Sequence, residues 1–165
     1  MESNLKEMES VVSIPDLNLI GKVVAISISR KKGIPKRNVN SARLIANHGI
    51  EGDAHAGNWH RQVSFLAIES IEKMRKRGLP NLRPGAFAEN ITTEFLNVPS
   101  FEIGTKIKIG DSSELEITQI GKECHDKCAI YFKVGDCVMP REGVFAKVIK
   151  SGDINVDDDI HICPK

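Results

Sequence analysis

Aromatic residues make up only 5% of this 165-residue chain, with a single tryptophan and a single tyrosine. The densest basic stretch, RKKGIPKR at 30–37, contains no aromatic residue at all. It therefore lacks the stacking platform on which single-stranded nucleic acid is bound. Net charge is almost absent too: 23 Lys and Arg stand against 22 Asp and Glu, a formal charge of +1. No global field draws the chain to nucleic acid or to an acidic membrane. No apolar run approaches the roughly 20 residues of a membrane-spanning helix. The opening MESNLKEMES mixes charge and polarity where a secretion signal would place a basic start and an apolar core. These absences predict a cytoplasmic protein that binds neither nucleic acid nor membrane. What is present, 41% hydrophobic and 27% charged residues, is the composition of one core-forming domain.

Cysteine is sparse and unevenly placed. Cys124, Cys128 and Cys137 cluster, and Cys163 stands near the C-terminus. In a reducing compartment this pattern indicates metal binding, catalysis or plain burial rather than disulfides.

Residues 1–20 show little periodicity and read as an extension, so the domain is expected over 21–162. KVVAISIS alternates as a strand should, with Val24, Ile26 and Ile28 on one face. Ile68, Ile71 and Met74 recur at helical spacing, Lys and Arg crowd the following turn, and Gly78 terminates it, predicting a helix over 67–77. GTKIKIG and ELEITQIG flank a GDSS turn and predict a hairpin over 104–121, while GVFAKVIK and DINVDDDIHI read as two final strands. Six or seven strands against one clear helix favour a mostly β fold closed into a barrel.

Four constellations could carry chemistry. ECHDKC, 123–128, sets two thiols beside Lys122, His125 and Lys127, cations that would lower a thiol pKa. With Cys137 it could instead form a structural zinc site, although C-x3-C is not the usual knuckle spacing. EGDAHAGNWHRQ, 51–62, holds His55 and His60, and its glycines could free backbone N–H groups to cradle an anion; a plain Gly-rich loop explains it equally well. Asn90, in PGAFAEN, either pins a turn or reads the polar edge of a ligand. The basic loop 30–37 reads as a solvated face.

Taken in order, GIEGDAHAGNWHRQVSFLAIE, PGAFAENITT, LEITQIGKECHDKC and MPREGVFAKVIKSGDI resemble the stand-alone members of the MOSC family, named for the C-terminal domain of molybdenum cofactor sulfurases. The resemblance covers about 21–162. It implies a distorted closed β-barrel of the pyruvate-kinase-barrel kind, with one or two short helices. It also implies binding of the molybdenum cofactor, with Cys128 as the thiolate ligand of the metal and Cys124 as its companion or resolving thiol. Arg61, Asn90, His60 and His55 fall in segments that the resemblance sets around that cofactor. The implied activity is reduction of small N-oxygenated compounds or handling of the cofactor's sulfur. The partner would be a small-molecule substrate or a sulfur donor of the cysteine desulfurase type, and a homodimer stays open. Two other readings remain: a non-enzymatic carrier with a Cys128 persulfide, and a zinc-stapled β-barrel module. Ala88 departs from relatives that carry an arginine in this segment, leaving the pocket short of one positive charge. Pyridoxal phosphate belongs to the fused sulfurases, and no lysine here lies in a domain that would hold it.

Overall fold

The computed structural model describes residues 19–94, 101–122 and 129–164. The ECHDKC motif, and with it the assignments to Cys124 and Cys128, lies outside the described residues. In chain order the strands are β1 (Leu19–Ile28), β2 (Arg37–Val39), β3 (Ser41–Ile45), β4 (Gly49–Ile50), β5 (Val63–Ala67), β6 (Ile91–Glu94), β7 (Lys106–Ile109), β8 (Ser113–Ile120), β9 (Val144–Lys150), β10 (Gly152–Asn155) and β11 (Asp159–Ile162). Three helices are described, α1 (Ile68–Lys76), α2 (Ala129–Val134) and α3 (Met139–Glu142). None of them is long and apolar enough to cross a membrane.

Seven strands close a barrel in the order β11-β7-β8-β9-β5-β6-β1, and β1 returns to β11. The fold is therefore mostly β and barrel-forming, as the strand count predicts. Its neighbours pair antiparallel except β5 and β6, which run parallel. A parallel pair needs a crossover, and α1 supplies it. That helix matches its predicted span because its signals are local: Ile71 and Met74 are buried, and Lys73, Arg75 and Lys76 occupy the last turn. A second sheet, β10-β3-β4, adds Leu44, Ile50 and Ile154 to the core inside the barrel.

Period-2 alternation sorts the side chains of the central strands. Val63 and Phe65 of β5, with Val144, Ala146 and Val148 of β9, fill the barrel. Leu66 and Phe145 face outward into a second apolar cluster with Ile71, Met74, Leu79, Phe87, Cys137 and Met139. The candidate site opens on this outer face.

Three details differ from the sequence reading. β1 begins at Leu19, so two residues of the expected extension belong to the barrel. A bulge between Val23 and Ala25 shifts the register of β1 against β6. Val23 thereby joins the core with Ile26 while Val24 stays outside it, because one extra residue reverses the facing of the residues beyond it. Finally, DINVDDDIHI is two strands, β10 and β11, split by a turn with Asp157 at φ 75°.

Candidate functional site

Ser64 of β5 stands opposite Phe145 of β9 on the outer face of the barrel. Around this pair Lys32, His55, Trp59, Arg61, Phe87, Ala88, Asn90, Lys122 and Met139 enclose a pocket of about 210 Å³. Three cations reach it and no carboxylate is among its described walls. The volume is below the roughly 300–1,000 Å³ of pockets that engulf a whole drug-sized ligand. It suits one end of a larger molecule.

Arg61 is the central wall. Its guanidinium carbon lies 4.8 Å from the Trp59 ring centroid and 5.7 Å from that of Phe145. Such contacts hold a cation without neutralising it. Its Nε is buried and has no hydrogen-bond partner among the described residues. Arg61 does not pair with Asp53 or Glu89, the carboxylates nearest to it in the sequence motifs, because both are already engaged. Asp53 accepts from Lys36 Nζ at 2.7 Å, from the Ser29 N–H at 3.0 Å and from the His55 N–H at 3.2 Å. Glu89 is fully buried and takes the N–H groups of Gly85 and Phe87. Burial pushes the Glu89 carboxyl up, against the lowering effect of those hydrogen bonds.

The basic loop is not uniformly solvated. Arg30, Lys31 and Lys32 are exposed, and Lys32 comes within 5.8 Å of the Trp59 ring. The Lys36 side chain, in contrast, is only 1% exposed and forms a buried ion pair with Asp53. Burial raises the Asp53 pKa, but the hydrogen bonds from Lys36 and Ser29, with the lysine's charge, outweigh it and leave the carboxyl below its ordinary value.

His55 lines the pocket with its ring about one-third exposed. His60 does not: its Nε2 meets Gln119 Oε1 at 2.9 Å on the protein surface. Asn90 lines the pocket but uses its side chain on the fold. Its Oδ1 accepts from the Ser64 N–H at 3.0 Å, and its Nδ2 donates to Ser27 O at 3.1 Å. Replacing Asn90 by alanine orphans both buried backbone groups. It is expected to cost at least about 2 kcal/mol in a denaturant melt, since each unmade bond costs about 1–3 kcal/mol.

Most amides of the Gly-rich run are spent within the protein rather than free for an anion. The N–H groups of Glu51, Asp53, Ala54, Ala56 and Gly57 all donate to backbone carbonyls within the protein. The glycines serve the bends instead, Gly52 at φ 84° among them.

In the sequence just before 123–128, Gly121 has φ 77° and its N–H donates to Gly143 O at 2.7 Å. A side chain at Gly121 would collide with the Pro140 carbonyl oxygen. Further along the chain Asp136 receives Arg141 and Arg77, tying α3 to the end of α1, and these bonds with the Cys137 N–H hold its carboxyl far below the ordinary range. Cys137 is buried in the outer apolar cluster. Among the described residues no group of three His, Cys, Asp or Glu could hold a metal ion.

The MOSC domain model matches residues 52–161, two-thirds of the chain. The chain belongs to the MOSC domain family. No curated protein sequence matches this MOSC protein at a significant level. Its fold is similar to that of YuaD from Bacillus subtilis, with a TM-score of 0.72 and 18% identity, covering 86% of this chain and 94% of that one. YiiM from Geobacillus stearothermophilus gives 0.66 at 18% identity, covering 87% and 75%. YiiM from Escherichia coli gives 0.61 at 15%, covering 87% and 70%. Within this MOSC domain Ala88 lines the pocket with φ 63°. It is a small residue in a conformation that L-residues seldom adopt, and it leaves Arg61, Lys32 and Lys122 as the cations of the described walls. Trp59, Ser64, Phe87, Met139 and Phe145 escaped the sequence reading. Only Trp59, the sole tryptophan, two residues before Arg61, carried a local signal.

Proposed function

We propose that this MOSC protein binds the molybdenum cofactor at the Arg61 pocket, with the Cys128 thiolate as the metal's protein ligand. In this reading it reduces small N-oxygenated compounds or handles the cofactor's sulfur. The observation that carries the proposal is the guanidinium of Arg61, which lies over two aromatic rings with a buried Nε and has no carboxylate and no Nε hydrogen-bond partner among the described residues. A phosphate is the complement of such a donor, because charge-assisted bonds to it compensate the desolvation of both groups. The pocket volume and its three cations fit the phosphate-bearing end of a pterin cofactor. Arg61, Lys32 and Lys122 would hold that end. Lys122 immediately precedes the segment that carries Cys128, so the chain joins the anion-binding wall to the thiol. When bound, the group would supply two-electron redox chemistry, or a transferable sulfur, at its metal. The chain's own residues would seat the anionic end, exclude water through Phe87, Met139 and Phe145, and present a soft sulfur to the metal.

The test is expression in a cofactor-competent host, followed by metal analysis and pterin fluorescence. Molybdenum with pterin is expected; stoichiometric zinc, or neither metal nor pterin, would overturn the reading. Arg61→Ala is expected to weaken cofactor binding roughly 10- to 150-fold, the equivalent of about 1.5–3 kcal/mol for a hydrogen bond to a charged group. The melting temperature should fall by only a few degrees, because Arg61 makes no ion pair among the described residues.

A further inference from the structure

His55 is held from behind by a pair of charges that the pocket itself does not use. Lys36 Nζ donates to Asp53 Oδ1 and also lies 3.1 Å from His55 Nδ1. An ammonium group can only donate, so this contact requires Nδ1 to accept. The ring proton must then reside on Nε2. Asp53 cannot supply the alternative arrangement. Its Oδ2 already takes the His55 backbone N–H, and it stands 3.8 Å from Nδ1. The groups facing the ring are Lys36, Asp53, Lys122 and Lys32. Its burial, and then Lys36, lower its affinity for a second proton more than Asp53 raises it. A neutral ring with Nδ1 committed inward has one polar group left, the Nε2–H.

We propose that Lys36 fixes the tautomer of His55, so that the imidazole serves as a standing Nε2–H donor to a phosphate oxygen held at Arg61. Lys36 is the positioning residue and His55 the contact. The inference rests on reading the pocket as a ligand site, but its first test needs neither cofactor nor molybdenum. The chain is labelled with 15N at its five histidines and its arginines, and His55→Gln and Arg61→Lys identify the His55 and Arg61 signals. Long-range couplings from the ring protons then show which nitrogen is protonated. Nε2 is expected to carry the proton at pH 7, and this form should persist on acidification through the range in which ordinary histidines charge. An Nδ1–H form, or an imidazolium at pH 7, would overturn the proposal.

In the double variant Lys36→Met with Asp53→Asn, which leaves no buried unpaired charge, the preference should relax to mixed tautomers. An unchanged tautomer in that folded variant would remove Lys36 from the role. Inorganic phosphate added to the wild-type protein should shift the His55 Nε2 signal together with the Arg61 Nε–H signal. A shift at Arg61 alone, or at neither, would overturn the donor role of His55. Molybdenum retention is measured separately, so failure of the cofactor reading and failure of this one are told apart.

Discussion

Cys128→Ser is expected to abolish molybdenum retention, reducing the metal content of protein from a cofactor-competent host to background. Serine keeps the size and nearly the shape of cysteine but exchanges a soft, readily ionised sulfur for a hard oxygen that stays protonated near neutral pH. The loss would therefore report ligation rather than misfolding, and an unchanged melting curve would confirm it. Cys163→Ser is the control. Cys163 sits beyond β11, and burial pushes its thiol up, so its thiolate fraction is below that of an ordinary cysteine. Its removal should leave the metal content intact. Cys124→Ser separates the remaining roles: as a companion thiol it should affect sulfur transfer and leave the metal in place. Equal molybdenum in the Cys128 and Cys163 variants would sink the assignment.

The largest stability effect is expected at the Lys36–Asp53 pair. Lys36→Met leaves a carboxylate whose side chain is fully buried without its counter-charge. Breaking a buried pair on one side costs about 3–5 kcal/mol, a fall of roughly 6–20 °C in melting temperature for a domain of this size. Removing both charges should cost clearly less, because the penalty comes mainly from the stranded ion. Equal losses in the single and double variants would show that packing of the lysine stem dominates.

The pair also sets an acid limb. The Asp53 carboxyl is below its ordinary value in the folded protein. Its contribution is thus present above the unfolded value of about 4 and is lost as pH falls through the folded value. Glu89 runs the other way: its carboxyl is raised by burial, so its contribution is complete at low pH and is lost as pH rises through the folded value. Asp53 is therefore read from the difference between wild type and Asp53→Asn. That difference should narrow as pH falls below about 4.

Much of the scaffold was legible in the chain because its signals are local. The α1 helix needs only the spacing of Ile68, Ile71 and Met74 and a glycine beyond the last turn. The β7–β8 hairpin needs only alternation around a turn. The short strands β2, β3 and β4 were not legible: no apolar alternation like that of KIKI in β7 marks them off, and they exist because partners elsewhere in the chain complete them. The ordered motifs marked the family, since several had to occur together and in sequence. They also drew attention to His55, Arg61 and Asn90, and the fold gathers all three at one pocket while leaving His60 at the surface.

What the sequence determined by itself was composition, local periodicity and motif order, and from these came the mostly β class, the helix over 67–77 and the family resemblance. Which charge is buried and which is free was decided only in three dimensions. Lys36 and Lys32 lie four residues apart in one basic loop, yet one is sealed against Asp53, 17 positions away, and the other lines the pocket. Arg61 remains without a carboxylate among the described residues because Lys36, Ser29, Gly85 and Phe87 already hold the two it could have used. No local rule contains that result. A charge's partner is set by which strands close the barrel together, and closure is a property of the whole chain.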